Sequence, residues 1–174
     1  GRNVKKKSLH LAIDALSLIK EKYSNVVLVH AGKEGNGVNL REYAINKGVS
    51  DSFFQIGEIS YFDMPSIYRS ADIFVFPSKT ETFGNVTVEA MSAGLPCVEF
   101  DYEVNRDKIM NGKTGFIVEY GNCDLLAEKI LILLSDEFLR NEMATNGRRY
   151  VVNKFSWKIV RDKYTGIFFD VRKS

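Results

Sequence analysis

The feature that most constrains this chain is a regular alternation of two apolar patterns. Runs rich in β-branched and aromatic residues, "NVVLVHAG" (25–32), "SFFQIGE" (52–58), "ADIFVFPS" (71–78), "LPCVEF" (95–100) and "GFIVEY" (115–120), are separated by segments of helical periodicity. Most of these runs lack polar alternation, which suits strands covered on both faces of a parallel sheet. Parallel strands need crossovers long enough to hold a helix, and such crossovers are right-handed. The chain therefore reads as α/β: a doubly wound, Rossmann-like parallel sheet with helices on both faces.

The intervening segments carry helix signals of their own. "SLHLAIDALSLIKEKYS" puts Leu9, Ile13, Leu16 and Ile19 on one face, with Ser8 expected as N-cap. "VNLREYAINKG" ends on Gly48, suited to a helix C-terminus, and "FDMPSIYRSA" offers Asp63 as cap with Pro65 in the first turn. Past residue 122 only helical patterns follow: "CDLLAEKILILLSD", "EFLRNEMATNGRRYVVNK" and "SWKIVRDKYTGIFFDV". With 174 residues, 45% of them apolar and three of them proline, the sequence suits one packed domain and is too short for two. Residues 1–174 contain no evident linker or repeat and are read as a single domain.

Several function classes find no support. A net charge of +2 does not suggest a nucleic-acid partner. The longest apolar patches, such as "ILILL" (130–134), fall far short of a membrane span. Cys97 and Cys123 have no metal or redox spacing and read as two buried thiols, and His10 and His30 read as structural. "GKEGNG" (32–37) is G-x-x-G-x-G rather than G-x-G-x-x-G, so it reads as a mobile strand-to-helix turn that could still touch a ligand. "KKK" (5–7) reads as a solvated turn, or as the source of one phosphate ligand beside Arg2.

The stretch "SKTETFGNVTVEAMSAGLP" (78–96) holds the chemistry. In doubly wound sheets ligands bind beyond the carboxyl ends of strands, where loops run into helix N-termini. A helix starting at Gly84 or Asn85 would leave the N–H groups of Phe83 to Thr87 unpaired on that face, ready for a diphosphate or a polar sugar. Gly84 lets a ligand approach the backbone closely. Glu89 lies about one turn in, among small and apolar residues, where an unpartnered buried carboxylate would be costly; a ligand with two adjacent hydroxyls would satisfy it. Glu81 precedes the helix on the loop, within reach of another part of the same ligand.

"PSKTETFGNVTVEAMSAGLPCV" resembles the E-x7-E signature of the retaining GT-B glycosyltransferases of family 4, the glycosyl transferases group 1. "GRNVKKKSLHLAIDAL", "FFQIGEIS", "IYRSADIFVFPS", "NGKTGFIV" and "FSW" fall in the family's order and spacing, so the similarity covers essentially the whole chain. The resemblance implies the C-terminal, nucleotide-sugar-binding half of a GT-B fold. Arg2 and Lys7 match the basic pair that neutralises the donor diphosphate, and Glu81 the glutamate directed at the donor sugar. Glu89 matches the glutamate that holds the ribose hydroxyls. The backbone of Phe83, Gly84 and Asn85 would face sugar hydroxyls and phosphate, and Ile56-Gly57 the nucleobase. No cofactor and no metal are expected.

The same resemblance implies that the acceptor site and the usual catalytic histidine belong to an N-terminal half. The opening "GRNVKKKSLH", with no initiator Met, reads as a piece cut from a longer protein; alone it would bind nucleotide weakly and transfer nothing. The expected partners are a nucleotide-sugar donor and a glycan or lipid-linked acceptor, in a cytoplasmic enzyme with peripheral association at the inner face of the membrane. Where the family often shows D-x-G-G-x-x-E, this chain has "DYEVNRDKIM": Glu103 and Val104 replace the glycine pair and Asp107 the glutamate. Two other readings stay open, a hydrolase using paired carboxylates and a non-catalytic nucleotide-binding α/β module.

Overall fold

The computed structural model describes residues 1–162 and 165. Its elements alternate as α1 (Leu9–Lys20), β1 (Leu28–Ala31), α2 (Leu40–Asn46), β2 (Phe53–Gly57), α3 (Met64–Arg69), β3 (Phe74–Phe76), α4 (Asn85–Ser92), β4 (Cys97–Phe100), β5 (Gly115–Val118), α5 (Cys123–Ser135) and α6 (Glu137–Phe155). Each of the five apolar runs contains a strand, and every strand pairing is parallel. Of the last helical pattern, "SWKIVRDKYTGIFFDV", residues 163–164 and 166–171 fall outside the described residues.

The strands form two ladders, β1–β2 and β3–β4–β5, rather than one continuous hydrogen-bonded sheet. Between them runs the segment 1–7. Gly1 N donates to Ala31 O (2.5 Å) and Asn3 N to Lys33 O (2.8 Å), at the carboxyl end of β1. Lys79 N and Ser78 Oγ both donate to Lys6 O (2.9 and 3.2 Å), at the carboxyl end of β3. This bridging segment includes a 3-10 turn over Lys5–Lys7, in which Lys5 and Lys6 are exposed, as a solvated turn would have them, and Lys7 is partly buried. Coverage follows the division: β4 is buried along its whole length, whereas Val27 and Val29 in and beside β1 are exposed.

Three apolar clusters account for the packing. Ile13, Leu16, Leu40, Ala44, Val49 and Phe53 join α1, α2 and β2. Ala15, Ile19, Val98, Phe100, Val118, Leu126 and Leu133 join the other side of α1 to β4, β5 and α5. Tyr68, Ala90, Met91, Leu95, Cys97 and Val151 pack α3 and α4 against α6. Helices thus cover both faces of the parallel strands, as amphipathic crossovers require.

Several local expectations change. Ser8 begins α1, but it also ends the 3-10 turn, and the reversal puts it at φ 48° with no side-chain cap; its Oγ instead pairs with Tyr120 Oη at 2.9 Å. Asp63 precedes α3 without capping it, because its carboxylate accepts from Ser60 Oγ (2.7 Å). Cys97 is fully buried but Cys123 only partly so. The glycines of "GKEGNG" make room for the chain rather than for a phosphate: a Cβ would lie 2.4 Å from Asn3 O at Gly35 and 2.0 Å from Asn3 Oδ1 at Gly37. Asn3 is buried there, its amide donating to Val38 O (2.9 Å) and Glu34 Oε2 (3.1 Å).

Candidate functional site

The loop from Ser78 to Gly84 leaves the carboxyl end of β3 and enters α4 through Gly84, whose φ of 73° favours glycine. Among the described residues the amides of Phe83, Gly84, Asn85 and Val86 donate to no acceptor, while Thr87 N closes onto Gly84 O (3.1 Å). The open face of the helix N-terminus is therefore one residue shorter than the sequence suggests. Its partial positive charge suits an anion or a hydroxyl-rich group.

Two sequence-distant residues meet beside it. Lys7 Nζ forms an ion pair and hydrogen bond with Glu81 Oε1, both side chains being largely buried. Ser78 Oγ donates to the same Glu81 oxygen (2.8 Å), and the Lys7 ammonium lies 4.8 Å from the centre of the Phe76 ring. The bridging segment 1–7 is what brings Lys7 here. Arg2, on that segment, is exposed. Glu89 follows on α4, four residues after Asn85 and so about one turn beyond the open amides.

Glu89 corrects an expectation. It is partly rather than fully buried, and Tyr68 Oη donates to its Oε2 at 3.0 Å. One oxygen is fixed by protein, and Oε1 has no protein donor among the described residues. Burial, then Glu89, drives the Tyr68 phenol well above the ordinary tyrosine range, so it stays a donor. Gly57 lines a cavity of about 390 Å³ with Gly32, Lys33, Glu34, Arg41, Gln55 and Glu58. Ile56 is exposed beside it and is not among the lining residues. A larger cleft of about 640 Å³ runs between α6 and Met110–Lys113 and includes none of the predicted site residues. No group of three or more His, Cys, Asp or Glu side chains is gathered among the described residues.

The sequence reading missed the most unusual part of the region. Directly beneath the loop lie Glu99 and Lys108, both fully buried. Glu99 Oε1 accepts from Thr87 Oγ1 (2.6 Å) and its Oε2 from Tyr102 Oη (2.9 Å). Burial pushes its carboxyl up to about 7 against the opposing pull of those donors and of Lys108. Lys108 Nζ donates to Phe83 O and to Val104 O (3.1 Å). Residues 103–107, where the glycine pair is replaced, form a 3-10 turn held by reciprocal Tyr102–Asn105 bonds. A signal for Glu99 existed: in a strand buried on both faces, every polar side chain is an interior one.

Comparison with known proteins bears on the fold and the family. Over 170 residues the chain is 35% identical to the capsular polysaccharide biosynthesis glycosyltransferase CapM of Staphylococcus aureus, covering 97% of this chain and 44% of CapM. It is 29% identical to the phosphatidyl-myo-inositol mannosyltransferase of Mycobacterium leprae, again covering 97% of this chain and 44% of the relative. The chain thus spans less than half the length of these curated relatives. The fold matches S. aureus TarM (TM-score 0.90, 24% identity, 97% of this chain and 34% of TarM). It also matches Anabaena HepE (TM-score 0.90, 22% identity, 98% and 47%). These are GT-B glycosyltransferase folds. The family model for glycosyl transferases group 1 matches residues 1–150, and the chain belongs to that family.

Proposed function

We propose that this chain is the nucleotide-sugar-binding half of a retaining, family 4 glycosyltransferase. Its whole protein would transfer a sugar from a nucleoside diphosphate to an acceptor hydroxyl during synthesis of polysaccharide, lipopolysaccharide or glycolipid. The observation that carries the reading is the convergence of Lys7, Glu81, the open amides of Phe83–Val86 and half-free Glu89 at one strand-end face. The TarM and HepE structures matched by the fold were solved with UDP, which supports a nucleotide-sugar donor.

In this reading the diphosphate lies against the open amides and the Arg2/Lys7 cations, whose charge offsets that of the departing phosphate. Glu81 holds Lys7 ready and then meets the donor sugar. The free oxygen of Glu89 and its Tyr68-bound partner clasp adjacent ribose hydroxyls. The cavity beside Gly57 takes the base. No metal is assigned, because the basic pair and the helix N-terminus supply the positive charge. The acceptor site lies in an N-terminal half, and the enzyme works in the cytoplasm, at the inner membrane face when its acceptor is lipid-linked.

The full-length protein, assayed with a panel of nucleotide sugars with and without acceptor glycans or glycolipids, should transfer one sugar with retained configuration. Release of free sugar alone would favour hydrolysis, inversion would overturn the retaining assignment, and nucleotide binding without turnover would favour a non-catalytic module.

A further inference from the structure

A fully buried lysine is unusual, since removing an ammonium from water is costly unless its donors are satisfied. Lys108 has no carboxylate within ion-pairing distance among the described residues. Its satisfied donors point at backbone: the carbonyl of Phe83, 25 positions earlier in the chain, and that of Val104. The ammonium also lies 5.0 Å from the centre of the Phe83 ring and 5.5 Å from that of Tyr102. A purely structural role here would be met as well by an apolar side chain of similar volume.

The geometry points to Lys108 and Glu99 as positioning residues for the donor-binding loop, Lys108 by turning the Phe83 carbonyl inward and Glu99 by fixing Thr87 and Tyr102 beneath Gly84. A trans peptide holds its C=O and N–H in opposite directions. With the Phe83 carbonyl drawn down onto Lys108, the Gly84 amide is turned up into the open face. Gly84 itself rests on the cluster: a Cβ there would lie 3.0 Å from Tyr102 Oη, 3.5 Å from Lys108 Nζ and 3.6 Å from Thr87 Oγ1. Thr87, bonded to Glu99, is in the first turn of α4. The cluster therefore grips both the peptide entering α4 and the turn leaving it, and adds a cation behind the helix N-terminus.

This inference rests on the reading of the loop as a diphosphate site, and its test separates the two. UDP, GDP and ADP are titrated calorimetrically into the full-length protein, and donor and acceptor KM are measured with whichever nucleotide sugar is used. Lys108→Met should weaken binding of the preferred nucleoside diphosphate on the order of tenfold, the usual worth of a charged hydrogen bond. It should raise donor KM and leave acceptor KM unchanged. The double variant Glu99→Gln/Lys108→Met leaves no unpaired buried charge; the Gln carbonyl accepts from one of the Thr87 and Tyr102 hydroxyls and its amide NH2 donates to the other. It should melt near wild type yet show the same loss, which a merely structural role would not produce. Wild-type affinity in either folded variant, where Lys7→Ala does weaken binding, would overturn this inference alone. Absence of nucleotide binding in the wild-type protein would overturn both readings.

Discussion

Glu99 should make this fold lose stability as pH rises from mildly acidic to neutral, the reverse of what an ion-paired carboxylate does. In the folded chain burial holds its carboxyl at about 7, against an ordinary value of 4.5. The unfolded chain releases the proton near that ordinary value, so between the two the folded state binds more protons. Unfolding free energy then falls with pH across the window and levels above it. At about 1.4 kcal/mol per pH unit, the gap from 4.5 to about 7 amounts to about 3 kcal/mol. That is a sizeable share of the roughly 5–15 kcal/mol that holds an ordinary domain together. The side chain is 0% exposed, so solvent screening does not reduce the effect. Urea denaturation of wild type and Glu99→Gln at pH values from 4 to 8 isolates it, because Gln can still bond both hydroxyls, accepting from one and donating to the other, but does not titrate. His30, lowered by burial, titrates in both proteins and cancels in the difference. The variant should gain about 3 kcal/mol on wild type between the acidic and neutral ends. Parallel curves, or a difference that moves the other way, would refute the reasoning.

Gly84→Ala forces a side chain into a left-handed conformation and to within 3.0 Å of Tyr102 Oη; it should cost about 1–2 kcal/mol or more in thermal melts and weaken nucleotide binding. An unchanged melting temperature and affinity would remove Gly84 from both roles. Lys7→Met deprives largely buried Glu81 of its cation, leaving Ser78 as its partner. It should cost about 1–3 kcal/mol by denaturation and lower full-length turnover by about a hundredfold, with near-normal turnover the result that sinks the assignment. Leu133→Ala, at 0% exposure in the α1–β4–α5 core, should destabilise by about 2–5 kcal/mol and leave nucleotide affinity intact once the protein is folded.

The strands and helices were legible because their signal is local: runs such as "DIFVFPS" and the 3.6-residue spacing of Leu9, Ile13 and Leu16 need no knowledge of the rest of the chain. The loop at 78–85 was legible for the same reason, through its order of strand, glycine and helix. The surroundings of each carboxylate were not. "NVTVEAMSA" looks interior, yet Glu89 is only partly buried and already has a protein partner, Tyr68 from another helix. "LPCVEF" looks like an ordinary strand, yet its glutamate is wholly interior, with partners 12 positions before it and three after. Burial of a single side chain depends on which elements cover it, and neighbours in sequence do not report that. The division into two ladders was hidden likewise, since it depends on where segment 1–7 lies rather than on any strand's own residues.

That segment also has a bearing on how genetic lesions would present. Residues 1–7 are tied to β1 at one end and to β3 at the other, and Lys7 reaches Glu81 only while both attachments hold. Local opening of either ladder, at a free energy below that of global unfolding, would withdraw the lysine from the pocket. Substitutions deep in β2 or α2, far from any ligand, would then behave as partial losses of activity in protein that is still folded and abundant. Phenotype alone would misplace them in the active site, whereas amide exchange at Asn3 and Lys79 would reveal a clasp that had come undone.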